Sequence, residues 1–163
     1  MGTGLKKKKK DLDKAVMGFT IVEIMAVLAL FLILSAGAVT LFTRTMASYR
    51  LQQTADQMAW EIRTQQQEAI AYGSARQMEF FLFGNYYQIM EPEYRNVFLL
   101  PGIEYVYISF PPTGYRSLLK FNASGCPDRG GTIALKNKYG KHRYVIISPV
   151  VGRIRISEVR PAN

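Results

Sequence analysis

Glu23 is a carboxylate standing at the head of residues 24–43, twenty positions without a charge. In lipid, a lone charge on a helix costs several kcal/mol, about 2.5–3.5 on insertion scales. Such a residue usually has a partner, and nothing in the apolar run can supply one. The natural cation is a free α-amine made by cutting between Gly18 and Phe19, one helical turn away or on a neighbouring subunit. A second set of residues is basic. Arg153 and Arg155 alternate with Ile154 and Ile156, which in a strand sends both guanidiniums to one face and both isoleucines to the core. Lys136, Lys138, Lys141 and Arg143 cluster on an adjoining hairpin, with Tyr139 and Tyr144 near. Arginines so spaced suit phosphate contacts, and tyrosines can stack on the bases of a single strand. Other chemistry is poorly served. Ser, His and Asp occur without a G-x-S-x-G element, and there is no phosphate-binding glycine loop. One Cys and one His allow neither an internal disulfide nor a protein-only four-ligand zinc site. No catalytic residue, metal or cofactor is expected.

These residues sit on three stretches of different composition. Residues 1–18 hold six lysines against two aspartates and read as a basic leader. Residues 19–43 read as a transmembrane helix: at about 1.5 Å per residue the uncharged run spans roughly 30 Å, the thickness of bilayer hydrocarbon. The lysines lie before it and only Arg44 and Arg50 soon after, so the positive-inside bias places the N-terminus in the cytoplasm and the remainder outside. Residues 44–73 continue as an amphipathic helix. Leu51, Ala55, Met58, Ala59, Ile62, Ala69 and Ile70 recur at three- and four-residue steps, with Gln65, Gln66 and Gln67 the weak point of the stripe and Gly73-Ser74 the stop. Helix over 19–72 would measure about 80 Å.

Residues 74–163 read as a β-rich head. Strands are predicted at 77–83, 86–91, 103–110, 117–122, 131–137, 143–148 and 152–159. Gly84-Asn85 marks a two-residue hairpin, Pro101-Gly102 a turn, 111–114 a break and 138–141 a second hairpin turn. The expected fold is α+β, a long N-terminal helix packed against a small, mostly antiparallel sheet.

The junction at Gly18 resembles the type IV pilin and pseudopilin class. The matching residues are the short basic leader, Gly18 before the cut, Phe19-Thr20 after it, Glu23 as fifth residue of the mature chain, and the run FTIVEIMAVLALFLIL. The resemblance implies cleavage after Gly18 by prepilin peptidase, N-methylation of Phe19, and extraction from the membrane into a helical fibre of pilin subunits. There Glu23 would neutralise the N-terminal amine of an adjacent subunit. It also implies the lollipop layout of that class. Further on, 99–103 (LLPGI), 121–125 (FNASG), 131–135 (GTIAL), 145–148 (VIIS) and 152–156 (GRIRI) resemble, in order, the GspH/FimT family of minor pseudopilins and minor pilins. Two features accompany that match. No helix-kinking proline precedes Pro92, unlike many major pilins, and 148–151 (SPVV) is an insertion that unsettles the local strand register. The family implies a non-enzymatic minor subunit that helps initiate or cap a pilus or type II secretion pseudopilus. It would be anchored in the cytoplasmic membrane before assembly, with its head outside.

Alternatives stand beside this reading. Ser35-Ala36-Gly37-Ala38 offers the cut of an ordinary secretory signal peptide, though the apolar run exceeds a usual signal core and leaves Glu23 without a use. Charge is uneven after residue 18: residues 19–110 carry five basic and eight acidic side chains, residues 111–163 ten and two. A single-sign patch favours polyanions. The Gly152-Arg153-x-Arg155 element resembles FimT-like minor pilins that act in DNA uptake, so DNA is a possible partner of Lys136, Lys138, Lys141, Arg143, Arg153 and Arg155. The plainer alternative is a solvated sheet face. Cys126 reads as a turn thiol, His142 as a surface histidine, and Trp60 as a core anchor of the helix against the sheet.

Overall fold

The computed structural model describes residues 18–161, so all of the basic leader except Gly18 lies outside the described residues. The chain divides after Val39 into two units. One helix, α1 (Ile21–Tyr72), begins in the first and ends in the second.

In the first unit the helix starts at a cap. Thr20 Oγ1 accepts the Glu23 backbone N–H at 3.3 Å, the Ncap-to-N3 bond of a capping box, with Glu23 in the first turn. Leu, Ile, Ala and Met then carry the helix without a proline. Its large side chains are exposed on every face, from Ile21 at 78% to Val27 at 50%. Ser35 Oγ donates to the Phe31 carbonyl at 2.7 Å, so that hydroxyl is satisfied within the helix. This helix is long and apolar enough to cross a membrane.

In the second unit, residues 40–72 of α1 join nine strands: β1 (Arg76–Phe81), β2 (Tyr86–Ile89), β3 (Arg95–Phe98), β4 (Ile103–Ile108), β5 (Pro112–Thr113), β6 (Arg116–Phe121), β7 (Gly131–Asn137), β8 (His142–Ile147) and β9 (Ile154–Ser157). They form two antiparallel sheets, ordered β3-β2-β1-β6-β5 and β4-β7-β8-β9. One apolar cluster unites Leu51, Ala55, Met58, Ala59, Ile62 and Ala69 of the helix with alternate residues of both sheets, among them Phe80, Tyr87, Phe121, Leu135 and Val145. The helix ends in a Schellman motif at the expected Gly73-Ser74. Gly73 has φ +58°, its N–H donates to the Ile70 carbonyl, and the Ser74 N–H donates to Ala69.

The structure departs from the sequence reading in several places. The head has two sheets where one was expected. β3 was not foreseen, because its edge position leaves Arg95, Asn96 and Phe98 exposed and removes the alternation that announces a strand. Pro112–Thr113 is a two-residue edge strand and not only a break; proline is tolerated there because an edge has a side that needs no N–H donor. The first hairpin closes from Phe81 to Tyr86 over four residues, not over Gly84-Asn85 alone. Ile70 and Trp60 are 56% and 59% exposed, so neither anchors the core: each lies one residue outside the Ala59–Ile62–Ala69 stripe, about 100° around the helix. The 148–151 insertion leaves the register intact. Ser148 N–H donates to the Arg153 carbonyl and Gly152 N–H to that of Ser148, closing a compact turn that pairs Ile147 with Ile154.

Candidate functional site

The N-terminal junction is simple in geometry. Gly18 and Phe19 are exposed, Phe19 at 77%. A Cβ on Gly18 would meet no neighbour within 4 Å, and its backbone is not left-handed. Glycine at 18 therefore answers no demand of the described fold. Glu23 holds the N3 position of the helix, where the positive end of the macrodipole favours a carboxylate. Its carboxylate makes no hydrogen bond or ion pair among the described residues.

The six basic residues do not form one patch. Strand pairing places Arg155 opposite Ile146, and Arg143 opposite Leu135. Directly paired residues share a face and neighbours alternate, so Arg143 faces the core side of the sheet while Arg155 faces away. Arg143 is correspondingly engaged: Nε donates to Gln52 Oε1 at 2.6 Å and its guanidinium meets Glu158 at 2.5 Å. Lys136 lies on the outer face but pairs with Glu104 of the neighbouring strand at 3.3 Å.

The remaining four separate into two pairs. Arg153 and Arg155 are exposed, with the buried Ile154 between them, as the alternation predicts. They line an open groove of about 490 Å³ with Ile146, Ser148, Pro149 and Pro161. Neither guanidinium has a hydrogen-bonding or ionic partner among the described residues. Lys138 and Lys141 sit on the β7–β8 turn, six residues along β8 from the Ile147–Ile154 pair, or roughly 20 Å at about 3.3 Å per residue. The Asn137 side chain builds that turn by accepting the backbone N–H groups of Tyr139 and Lys141, each at 3.0 Å. Nor do the tyrosines flank the arginines. Tyr144 is buried on the outer face, its ring 6.2 Å from His142 and 6.5 Å from Tyr107, and Arg160 lies over Tyr107 at 5.5 Å. Tyr139 stays with the lysine pair, where its hydroxyl contacts Thr43 Oγ1 at 3.3 Å.

What positions the arginine pair is a residue that the sequence marked as a flaw. Gln66 interrupts the apolar stripe, yet its Nε2 donates to the Gly125 carbonyl at 2.9 Å and, at 3.4 Å, to that of Val151. It thus ties both the 122–126 turn and the turn before Arg153 to the helix. Arg63 adds a bond to the Ile154 carbonyl at 3.1 Å. The signal available in sequence was a polar residue where the period requires an apolar one. Cys126 is a free, partly buried thiol in the first of these turns, its N–H held by Asn122 Oδ1. Among the described residues no group of His, Cys, Asp and Glu is placed to hold a metal.

No family model, curated protein or solved structure matches this chain.

Proposed function

We propose that this chain is a membrane-anchored minor subunit of a type IV pilin-like fibre, of the GspH/FimT kind, processed between Gly18 and Phe19. Its role is assembly and not catalysis. The observation that carries the reading is the junction itself. An exposed glycine that the fold does not need precedes a capped helix start, and that start leads into an apolar helix exposed on every face. Cutting there creates an α-amine next to the helix N-terminus. The macrodipole makes that a poor place for a cation, so a carboxylate from another subunit's Glu23 would relieve it. The exposed apolar surface needs lipid before assembly and like helices afterwards. The helix begins in the membrane and the head stands outside it, as the lysine bias of the leader requires.

The test is the N-terminus of the mature protein, by intact mass after co-expression with a prepilin peptidase. Methylated Phe19 is the expected first residue. A Gly18→Leu variant should fold as before and remain uncut. A mature chain beginning at Val39 would instead identify an ordinary signal peptide and remove the assembly role of Glu23.

A second reading has one observation in its favour. Arg153 and Arg155 form an exposed pair on one strand face without a carboxylate partner, an arrangement suited to the phosphates of DNA in an uptake pilus. Retarded mobility of a DNA duplex, lost in Arg153→Gln/Arg155→Gln and at high salt, tests it. No retardation at low salt excludes it.

A further inference from the structure

The cations of the second unit differ in whether they meet a carboxylate. Arg76, Arg95, Arg116, Lys136 and Arg143 each meet a carboxylate. Of the cations that meet none among the described residues, Arg44, Arg50, Lys138 and Lys141 line two cavities at residues 42–50 of the helix and the β7–β8 turn. Arg50 and Lys138 line a cavity of about 350 Å³ whose other walls include Phe42, Met46 and Ile103. Arg44 and Lys141 line a second open cavity of about 540 Å³ with Ser48 and Tyr139. Tyr139 lies against Lys138 of the first and Arg44 of the second. Its hydroxyl meets Thr43 at 3.3 Å, the Arg44 guanidinium lies 5.8 Å from its ring centroid, and the Lys138 ammonium lies 5.1 Å from it. The Thr43 hydrogen bond first, and then the Lys138 and Arg44 charges, hold the phenol below its ordinary value.

Place in the chain identifies the ligand. Arg44 is the first charge after the uncharged 24–43 run, so this cluster lies where that run ends. The hairpin tip is tied to that same point through Tyr139 and Thr43. We infer that Arg44, Arg50, Lys138 and Lys141 form a binding site for an anionic phospholipid headgroup of the leaflet that faces the head, with Tyr139 at the interface and Phe42 and Met46 against the acyl chain. This rests on the membrane-anchored reading of the helix. The chemistry fits throughout: cations for the phosphate, an aromatic with a polar tip at headgroup depth, and apolar walls on one side. Before assembly the site would fix the head against the bilayer; on extraction into a fibre the lipid would have to be released.

Juxtamembrane cations contribute about 1 kcal/mol each at an anionic surface, a factor of about five. The probe is the full chain in neutral detergent, titrated separately with phosphatidylglycerol and phosphatidylcholine and read by native mass spectrometry. Lys138→Gln/Lys141→Gln removes two exposed turn charges but keeps the Asn137 bonds, which are to backbone. Phosphatidylglycerol should bind at least tenfold tighter than phosphatidylcholine. The lysine double variant should lose about 25-fold of that affinity, and Arg153→Gln/Arg155→Gln should lose none. Equal binding of the two lipids overturns the site, as does equal loss in both double variants. Soluble glycerol 3-phosphate binding as tightly as phosphatidylglycerol would make it a free-phosphate site. An oligonucleotide whose binding depends on the lysine pair would make it a nucleic-acid site; either result overturns the membrane assignment. The processing reading fails separately. A chain that shows the lipid preference but is not cut at Gly18 keeps this site and loses the pilin reading.

Discussion

Gly152 is the position where backbone conformation, packing and the presentation of the arginine pair meet, and alanine there should be costly for two separable reasons. Its φ is +64°, and an L-residue in the left-handed region costs about 1–2 kcal/mol. The new Cβ would also lie 2.4 Å from Gln66 Nε2 and 3.1 Å from Pro127 Cδ. Gln66 must then withdraw, giving up its bonds to Gly125 and Val151, worth about 1 kcal/mol together since the second is long. Gly152→Ala should therefore destabilise by about 2–3 kcal/mol, and Gln66→Ala alone by about 1 kcal/mol. In the Gln66→Ala background the amide is gone and Gly152→Ala should cost only the conformational part, leaving a coupling of about 1 kcal/mol between two residues far apart in sequence. Urea unfolding of the full chain in detergent, followed by the near-ultraviolet circular dichroism of its tyrosines, measures all four corners of the cycle. If Gly152→Ala costs the same in both backgrounds, the clamp is not what holds this turn.

Three further outcomes follow from the geometry. Arg143→Gln should lower stability by about 1–2 kcal/mol through loss of its Gln52 and Glu158 bonds, whereas Arg153→Gln/Arg155→Gln should stay within about 0.5 kcal/mol; the same unfolding assay compares them. On the helix, Ile62→Ala should cost about 2–5 kcal/mol by opening a cavity in the fully buried core, while Trp60→Ala, at an exposed position, should shift the urea midpoint little. Burial pushes the Tyr87 phenol up, assisted by the nearby Glu61 charge, and burial pushes Tyr105 well up from 10.0. The unfolded chain loses these protons near pH 10 while the folded chain keeps them. Stability should therefore be flat with respect to these groups below about pH 10 and fall as pH rises beyond it; Tyr87→Phe/Tyr105→Phe should flatten that alkaline fall.

Legibility followed the strength of local signals. The end of the helix was readable because Gly73-Ser74 marks it chemically and no proline precedes it, whereas the Thr20 cap emerged only from the structure. The Ile154/Arg155 alternation was readable because Ile154 is buried and Arg155 exposed, and β7 because a short apolar run between turns marks a strand that is buried on both faces at 132–135. β3 was not, since an edge strand with three exposed positions carries no such pattern. Trp60 misled because a large apolar residue suggests burial, whereas its angular position on the helix decides the matter.

Sequence by itself determined the uncharged run, the change of charge sign along the chain and the α+β class. All of these depend on residues adjacent in the chain or spaced by a single period. Tertiary structure decided how the basic residues are grouped. One residue of offset turned Arg143 inward to Gln52, cross-strand pairing gave Lys136 to Glu104, and a strand's length parted Arg153 and Arg155 from Lys138 and Lys141. The lysines were brought instead to Arg44 and Arg50, about ninety positions earlier in the chain. Charge counts add along a sequence, but a binding surface depends on which side chains strand register leaves unpaired and side by side.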